Sequence, residues 1–383
     1  ATGSSAALRR IRSAPMNLNE LKLRSFRNYR EIAARFDPGV NLIVGDNAQG
    51  KTNLLEAIAF LGSGKSFRAL KNAEMIGFSA PFCELEGRVT AQERQQSIRW
   101  LLFPGSRPRQ LWLNGAKKKT AGEIAGVLPT VLFCPDDLNL IKDGAAVRRR
   151  LLDNAISQIR PRYAEYLSEF NRLYEHKTRI LKDWRDKPSL LETLDEFSDG
   201  MCRASAQLIR YRAAFSARLD QAAAPIHKDF SNSLEELEIK YKTVSTVKDP
   251  FASAREIYYD ICEHQEKHRQ AELESAQCLT GAHKDDLEIF INGTAARSFA
   301  SQGQTRTAAL SIKLAEREIF LAETGEYPVL LLDDVLSELD TKRQEFVLNR
   351  IGGGQTLISC CEDEGISKRT GGRVLFISEG TIK

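Results

Sequence analysis

Residues 40–58 read VNLIVGDNAQGKTNLLEAI, and this stretch decides the fold. Val40 to Val44 is a short apolar run after the turn Asp37-Pro38-Gly39, which predicts a strand. It leads into Gly45-Asp46-Asn47-Ala48-Gln49-Gly50-Lys51-Thr52, a full match to G-x-x-x-x-G-K-[ST]. Asn53 and an apolar helical run carrying Leu54, Leu55, Ile58 and Leu61 follow directly. A glycine-punctuated loop between strand and helix turns its backbone N–H groups, and the positive end of the helix dipole, toward an anion. The expected ligand is the phosphate chain of ATP, bound along residues 45–53, with Lys51 reaching the β- and γ-phosphates and Thr52 offering its hydroxyl to Mg²⁺. The nearby Gly64-Lys65-Ser66 is no second loop, because Ala59 stands where the first glycine would be.

Such a loop needs a carboxylate for the metal. Val329-Leu330-Leu331-Leu332-Asp333-Asp334 supplies it: four apolar residues, as a strand covered on both faces requires, then two acids at its carboxyl end. Asp333 is assigned to the Mg²⁺ and Asp334 to orienting or deprotonating the attacking water, which makes Asp334 and Lys51 the catalytic pair. Between the two motifs lies Ser301-Gln302-Gly303-Gln304, followed by a helical pattern through Leu310, Ile312, Leu314 and Ile319. Serine and glycine at a helix start form a second anion site, or an ordinary N-cap. One nucleotide does not need two such sites from one subunit, so the expectation is a second subunit, each chain lending its serine loop to the other's γ-phosphate.

Outward from these motifs the chain divides. From 16 to about 145 and from 276 to 383 the text is α/β, and residues 111–113 and 289–291 each end in an Asn-Gly hairpin signal, which could flank one sheet. Residues 146–275 are helical: Tyr163, Leu167, Phe170, Leu173, Ile180 and Leu181 form one stripe. Ser189 with Glu192 offers a capping box for a second helix, whose Leu194, Phe197, Met201, Ala204, Leu208, Tyr211 and Phe215 keep steps of three and four. The predicted architecture is one head, split in sequence by a helical insertion with a short antiparallel coiled-coil-like arm. Residues 1–15, Ala/Ser/Arg-rich and aperiodic, are expected to be a disordered leader or tag, with Met16 as the true start.

Composition narrows the class. Of 383 residues, 42% are apolar and no stretch approaches the ~18 to 20 apolar residues of a membrane span, so no membrane partner is expected and the cytoplasm fits. The seven cysteines form no CxxC pair, which excludes a readable zinc site. Lys+Arg 55 against Asp+Glu 51 gives a net charge of +4, falling to +1 without Arg9, Arg10 and Arg12 of the leader. The total therefore decides nothing about nucleic acid; local clusters do. Arg24, Arg27 and Arg30 stand around Phe26 and Tyr29; Lys65, Arg68 and Lys71 follow the first helix; Lys117, Lys118 and Lys119 follow a hairpin turn. Each could neutralise DNA phosphates without reading bases, or simply solvate a face.

The motif order, with Ser337-Glu338-Leu339-Asp340 after the two acids, resembles an ABC-type ATPase head of the SMC-like branch. The match is closer still to the bacterial RecF family of recombination mediators. It rests on Leu23-Arg24-Ser25-Phe26-Arg27-Asn28-Tyr29, the phosphate loop, Lys65 to Arg68, Phe133 to Leu138, Arg148 to Arg150, Thr280 to Asp286, the serine loop and LLLDDVLSELD. The resemblance implies an ATP-dependent DNA-binding homodimer that helps load recombinase at single-strand gaps with RecO and RecR. It further implies that Ser301 and Gly303 complete the partner's site, and that Asp340 lies beside the dimer interface. Departures are Ala282 and Lys284 where the family more often has Pro and Arg, and no glutamine near Phe133 to sense the γ-phosphate. Asp334 replaces the Glu of most ABC ATPases, which implies slow, DNA-stimulated hydrolysis used as a switch. Arg148 to Arg150 are expected to form ion pairs or watch the nucleotide, and His283 to lie near it. The alternative is another ABC-type head, an SMC- or Rad-like fragment or a transport ATPase subunit.

Overall fold

The computed structural model describes residues 16–362 and 365–383; the leader expected at 1–15 lies outside them. The first half begins with β1 (Asn17–Phe26), β2 (Tyr29–Arg35), β3 (Val40–Val44) and α1 (Lys51–Ser63). Then follow β4 (Cys83–Ala91), β5 (Arg94–Leu102), β6 (Gln110–Leu113), β7 (Ala116–Lys118) and β8 (Thr130–Phe133). Helices α2 (Ala145–Ile159), α3 (Pro161–Asp183) and α4 (Leu194–Phe230), β9 (Leu237–Lys242) and α5 (Ala254–Ser275) make the insertion. The rest is β10 (Asp286–Ile291), β11 (Thr294–Ala295), α6 (Ala296–Phe299), α7 (Gln302–Thr324), β12 (Val329–Asp333), α8 (Thr341–Arg350), β13 (Thr356–Cys360), α9 (Ile366–Thr370), β14 (Arg373–Ser378) and β15 (Thr381–Ile382).

The central sheet has the order β15-β14-β3-β13-β12-β8 and is parallel from β14 to β8, so the phosphate-loop strand and the acid-bearing strand flank β13. Its strands are apolar on both faces because both faces are covered. Leu42, Val44, Leu330, Leu332 and Ile358 join one core with α4 and α7, while Ile43, Val329, Leu331 and Leu357 join another with α1 and the small sheet. That small sheet, β2-β1-β4-β5-β6-β7, is antiparallel and clamps α1 through Trp100, which donates its indole N–H to the Leu61 carbonyl at 3.1 Å. The third sheet is β11-β10-β9. The two Asn-Gly hairpins, expected to flank one sheet, thus belong to two: β6–β7 to the small sheet and β10–β11 to the third. Alternation within each hairpin was readable; which layer it joins depends on contacts remote in sequence.

In the insertion, Tyr163 meets Tyr211 and His176 stacks on Phe197, so α3 and α4 run antiparallel. The stripe from Leu194 to Phe215 is core rather than a free seam: Met201, Ala204, Leu208 and Phe215 share one cluster with α7 and the central sheet. A third helix, α5, covers another face of α4 through Ile209, Ile257 and Ile261. The capping box expected at Ser189 and Glu192 does not form. Residues Pro188–Thr193 wind into a 3₁₀ turn that continues into α4, leaving Ser189 without the extended backbone an N-cap needs.

Candidate functional site

Residues 45–50 leave the end of β3 and close onto α1. Two glycines are sterically required: a Cβ on Gly45 would stand 2.3 Å from the Ile377 carbonyl oxygen, and Gly50 has φ +123°, closed to other residues. Gly50 caps α1 with no side-chain acceptor, so the first N–H groups of the helix have no side-chain cap. The Lys51 ammonium is buried in the loop, donating to the carbonyls of Gly45 (2.6 Å) and Asp46 (3.1 Å). Two turns brace the loop from outside. From the β1–β2 turn, the Tyr29 hydroxyl donates to the Gly50 carbonyl and Asn28 Nδ2 to the Gln49 carbonyl, each at 2.9 Å. From the β14–β15 turn, the Glu379 N–H donates to Gln49 Oε1 at 2.6 Å. Burial pushes the Tyr29 phenol well above its ordinary value, so it stays a donor.

Opposite the loop, the Thr52 hydroxyl donates to Asp333 Oδ1 at 2.9 Å, and the Ser359 hydroxyl to the same oxygen at 2.9 Å. Burial raises the Asp333 carboxyl above its ordinary range, while these two hydroxyls and Arg68 pull it back. A hydroxyl and a carboxylate side by side, beside uncapped helix amides, are hard-oxygen and anion-binding groups that fit Mg²⁺ and a phosphate chain. Asp334 turns into the left-handed region, φ +52°, costly for a non-glycine residue. It is held there by its N–H on Ser359 Oγ (2.9 Å) and by the Ser337 hydroxyl on its carbonyl (2.6 Å).

The serine loop stands elsewhere. Ser301 caps α7, accepting from the Gln304 N–H at 3.2 Å, and Gln304 returns the bond to the Ser301 N–H at 2.9 Å. Among the described residues no hydrogen bond joins 301–304 to 45–53. Arg343 ties this loop to Asp340: it donates to the Gly303 carbonyl and the Thr307 hydroxyl, each at 3.1 Å, and pairs with the Asp340 carboxylate that caps α8.

Arg148 forms a bidentate ion pair with Asp286 (2.7 and 2.9 Å); Arg149 instead donates to the Asp285 backbone carbonyl, and Arg150 is exposed. His283 is not near the phosphate loop. It packs on Phe170 and Tyr174, midway along α3, and donates from Nε2 to the Cys278 carbonyl, and burial holds its pKa down at about 4. The stretch 280–286 anchors the insertion instead: buried Asp285 accepts from Arg212, Tyr241 and Thr243. Of the basic clusters, Arg24, Arg30, Lys65, Arg68, Lys71, Lys117 and Lys119 are exposed. Arg27 pairs with the buried Glu56 at 2.7 Å, and Lys118 lies 3.7 Å from Glu123. The aromatics grouped with the first cluster do not face solvent, since Phe26 and Tyr29 are both buried. Asn28 and Tyr29 stand in the sequence among the first basic cluster, with no place at the phosphate loop expected of them, and Ser359 carries no expectation at all. For Ser359 the available signal is a lone serine in the apolar run of β13.

The sequence profile described as RecF/RecN/SMC N terminal domain matches residues 17–370. The chain is 38% identical over 373 residues to the DNA replication and repair protein RecF of Bacillus cereus (strain G9842), covering 96% of this chain and 98% of that one. The RecF of Bacillus anthracis (strain CDC 684 / NRRL 3495) matches at the same 38%. The solved structure of the recombination mediator protein RecF-ATPrS in the RecFOR pathway superposes with TM-score 0.89 at 34% identity, covering 97% of this chain and 98% of that one. An Smc head domain with an extended coiled coil from Pyrococcus furiosus, at 18% identity and TM-score 0.55, shares the fold.

Proposed function

The chain belongs to the RecF family, and from that premise we propose that it is an ATP-switched recombination mediator acting on DNA in repair and replication. It binds ATP with Mg²⁺ at residues 45–53, pairs head to tail with a second copy, and closes on duplex DNA near single-strand gaps. There it helps load recombinase together with RecO and RecR in the cytoplasm, and hydrolysis resets it. The observation that supports this reading is the pairing of Thr52 with Asp333 beside uncapped helix amides, with no hydrogen bond among the described residues joining the serine loop to that site.

Lys51 and the loop amides hold the β- and γ-phosphates, while Thr52 and Asp333 hold the metal. Bound there, Mg²⁺ withdraws charge from the phosphate oxygens. Asp334, fixed by Ser359 and Ser337, orients the water and takes its proton. The partner's Ser301 and Gly303 cover the γ-phosphate, and Arg343 keeps that loop in step with Asp340 on the same interface. A carboxylate one methylene shorter than Glu reaches the water less closely, which suits slow, DNA-stimulated turnover. Anisotropy of a labelled duplex with ATP, with ADP and without nucleotide tests the switch. Binding at least about tenfold tighter with ATP supports it; equal affinity in all three states sinks it.

A further inference from the structure

Two basic groups far apart in sequence meet in one groove. Lys65, just after α1, and Lys119, just after β7, line a cavity of about 730 Å³ together with Arg109, ahead of β6, and Arg172 on α3. One wall belongs to the small sheet and its connections, the other to α2 and α3 at the base of the arm. Among the described residues none of the four cations has an ion-pair partner. Arg109 donates to the Gly64 carbonyl and lies 4.9 Å over Trp100. The carboxylates on the lining are Glu165 and Glu169, and Asp153 behind it also acts on Lys65, so four positive charges face three negative ones. Cations without ion-pair partners in one cleft are the complement of an anion with several oxygens.

The groove is separate from the nucleotide site. It lies at the C-terminal end of α1, whose 13 residues put about 20 Å between it and the phosphate loop. Its cations stand on both walls rather than converging on one point, which suits a track of phosphates better than a single small anion. We propose that one strand of duplex DNA lies in this groove, its phosphates held by Lys65, Arg109, Lys119 and Arg172. This rests on the DNA-binding reading above and narrows it: Lys65 and Lys119 belong to one DNA track, and Arg24 and Arg30, on the first two strands, do not.

The test is duplex binding by anisotropy with ATP across about 50 to 200 mM salt, for the parent, Lys119→Ala/Arg172→Ala and Arg24→Ala/Arg30→Ala. Each lost phosphate contact flattens the slope of log affinity against log salt by about 0.9. The groove pair is therefore expected to lose about 2 in slope and at least tenfold in affinity, and the strand pair neither. Far-ultraviolet spectra and melting curves matching the parent establish folding, and Lys119→Gln alone, at an exposed position, is the second variant, with an expected slope loss of about 1. An unchanged slope in the groove variants, with the parent binding DNA, overturns the groove and leaves the DNA reading standing. A parent that binds no duplex overturns both. Loss of inorganic pyrophosphate binding with duplex binding intact makes the groove a small-anion site and overturns the proposal.

Discussion

The Thr52 hydroxyl donates a hydrogen bond of 2.9 Å to Asp333 Oδ1, joining the first turn of α1 to the end of β12 across the intervening strand β13. Ser359, on that intervening strand, donates to the same oxygen. The pair brings a neutral hydroxyl and a buried carboxylate to where a metal-bearing anion would sit, and leaves the carboxylate short of positive charge.

Asp333→Asn keeps the shape and removes the buried charge. ATP turnover is expected to fall by about 10²-fold or more, the scale of losing one preorganised electrostatic group. Stability moves the other way. A carboxyl whose pKa is raised in the fold binds its proton more tightly there than in the unfolded chain, so the nucleotide-free parent loses stability as pH rises through that raised pKa. The variant lacks this loss. Melting curves without nucleotide from pH 4 to 7 should show the parent falling relative to Asp333→Asn, and a constant gap would contradict the burial argument.

Lys177 and Glu272 form an ion pair of 2.7 Å between α3 and α5 with side chains 0% and 1% exposed, and Gln265 bonds to both. Breaking such a pair strands a buried charge, whereas replacing both partners does not. Glu272→Gln should cost about 3 to 5 kcal/mol in urea unfolding, and Lys177→Met/Glu272→Leu should recover part of it. A single-variant cost below about 1 kcal/mol would show that the pair is open to water.

Cys361 is exposed, with its sulfur 3.6 Å from the Lys51 ammonium and 3.1 Å from Asn47 Oδ1. A thiol so placed should react with a maleimide faster than the buried Cys83, Cys202, Cys278 and Cys360. Labelling should block ATP binding, and ATP should slow labelling at least about tenfold. Peptide mass mapping reads this directly. Equal labelling with and without ATP would remove Cys361 from the nucleotide's surroundings.

Much of the site was legible because a phosphate loop is local: strand, glycines, lysine and helix start lie within 19 consecutive residues, 40–58. Asp333 was legible because a strand buried on both faces must be apolar and an acid at its end breaks that rule. What escaped was the bracing. Tyr29 reads as an aromatic grouped with arginines, yet its ring is core and its hydroxyl holds Gly50, a contact set by the pairing of β1 with β2. His283 reads as a nucleotide neighbour beside charged residues, yet Tyr174 and Cys278 fix it in the insertion. The Ser189 box failed for a similar reason, since a 3₁₀ turn feeding α4 overrode a short sequence signal.

The central claim is that ATP joins two chains, each completing the other's site. Sedimentation velocity of the parent and of Lys51→Arg, with and without Mg²⁺·ATP, tests it most directly. The parent is expected to shift from monomer to dimer only with ATP, and the shift of Lys51→Arg to be weakened or lost. A parent that stays monomeric with ATP, behaving identically to Lys51→Arg, would contradict it.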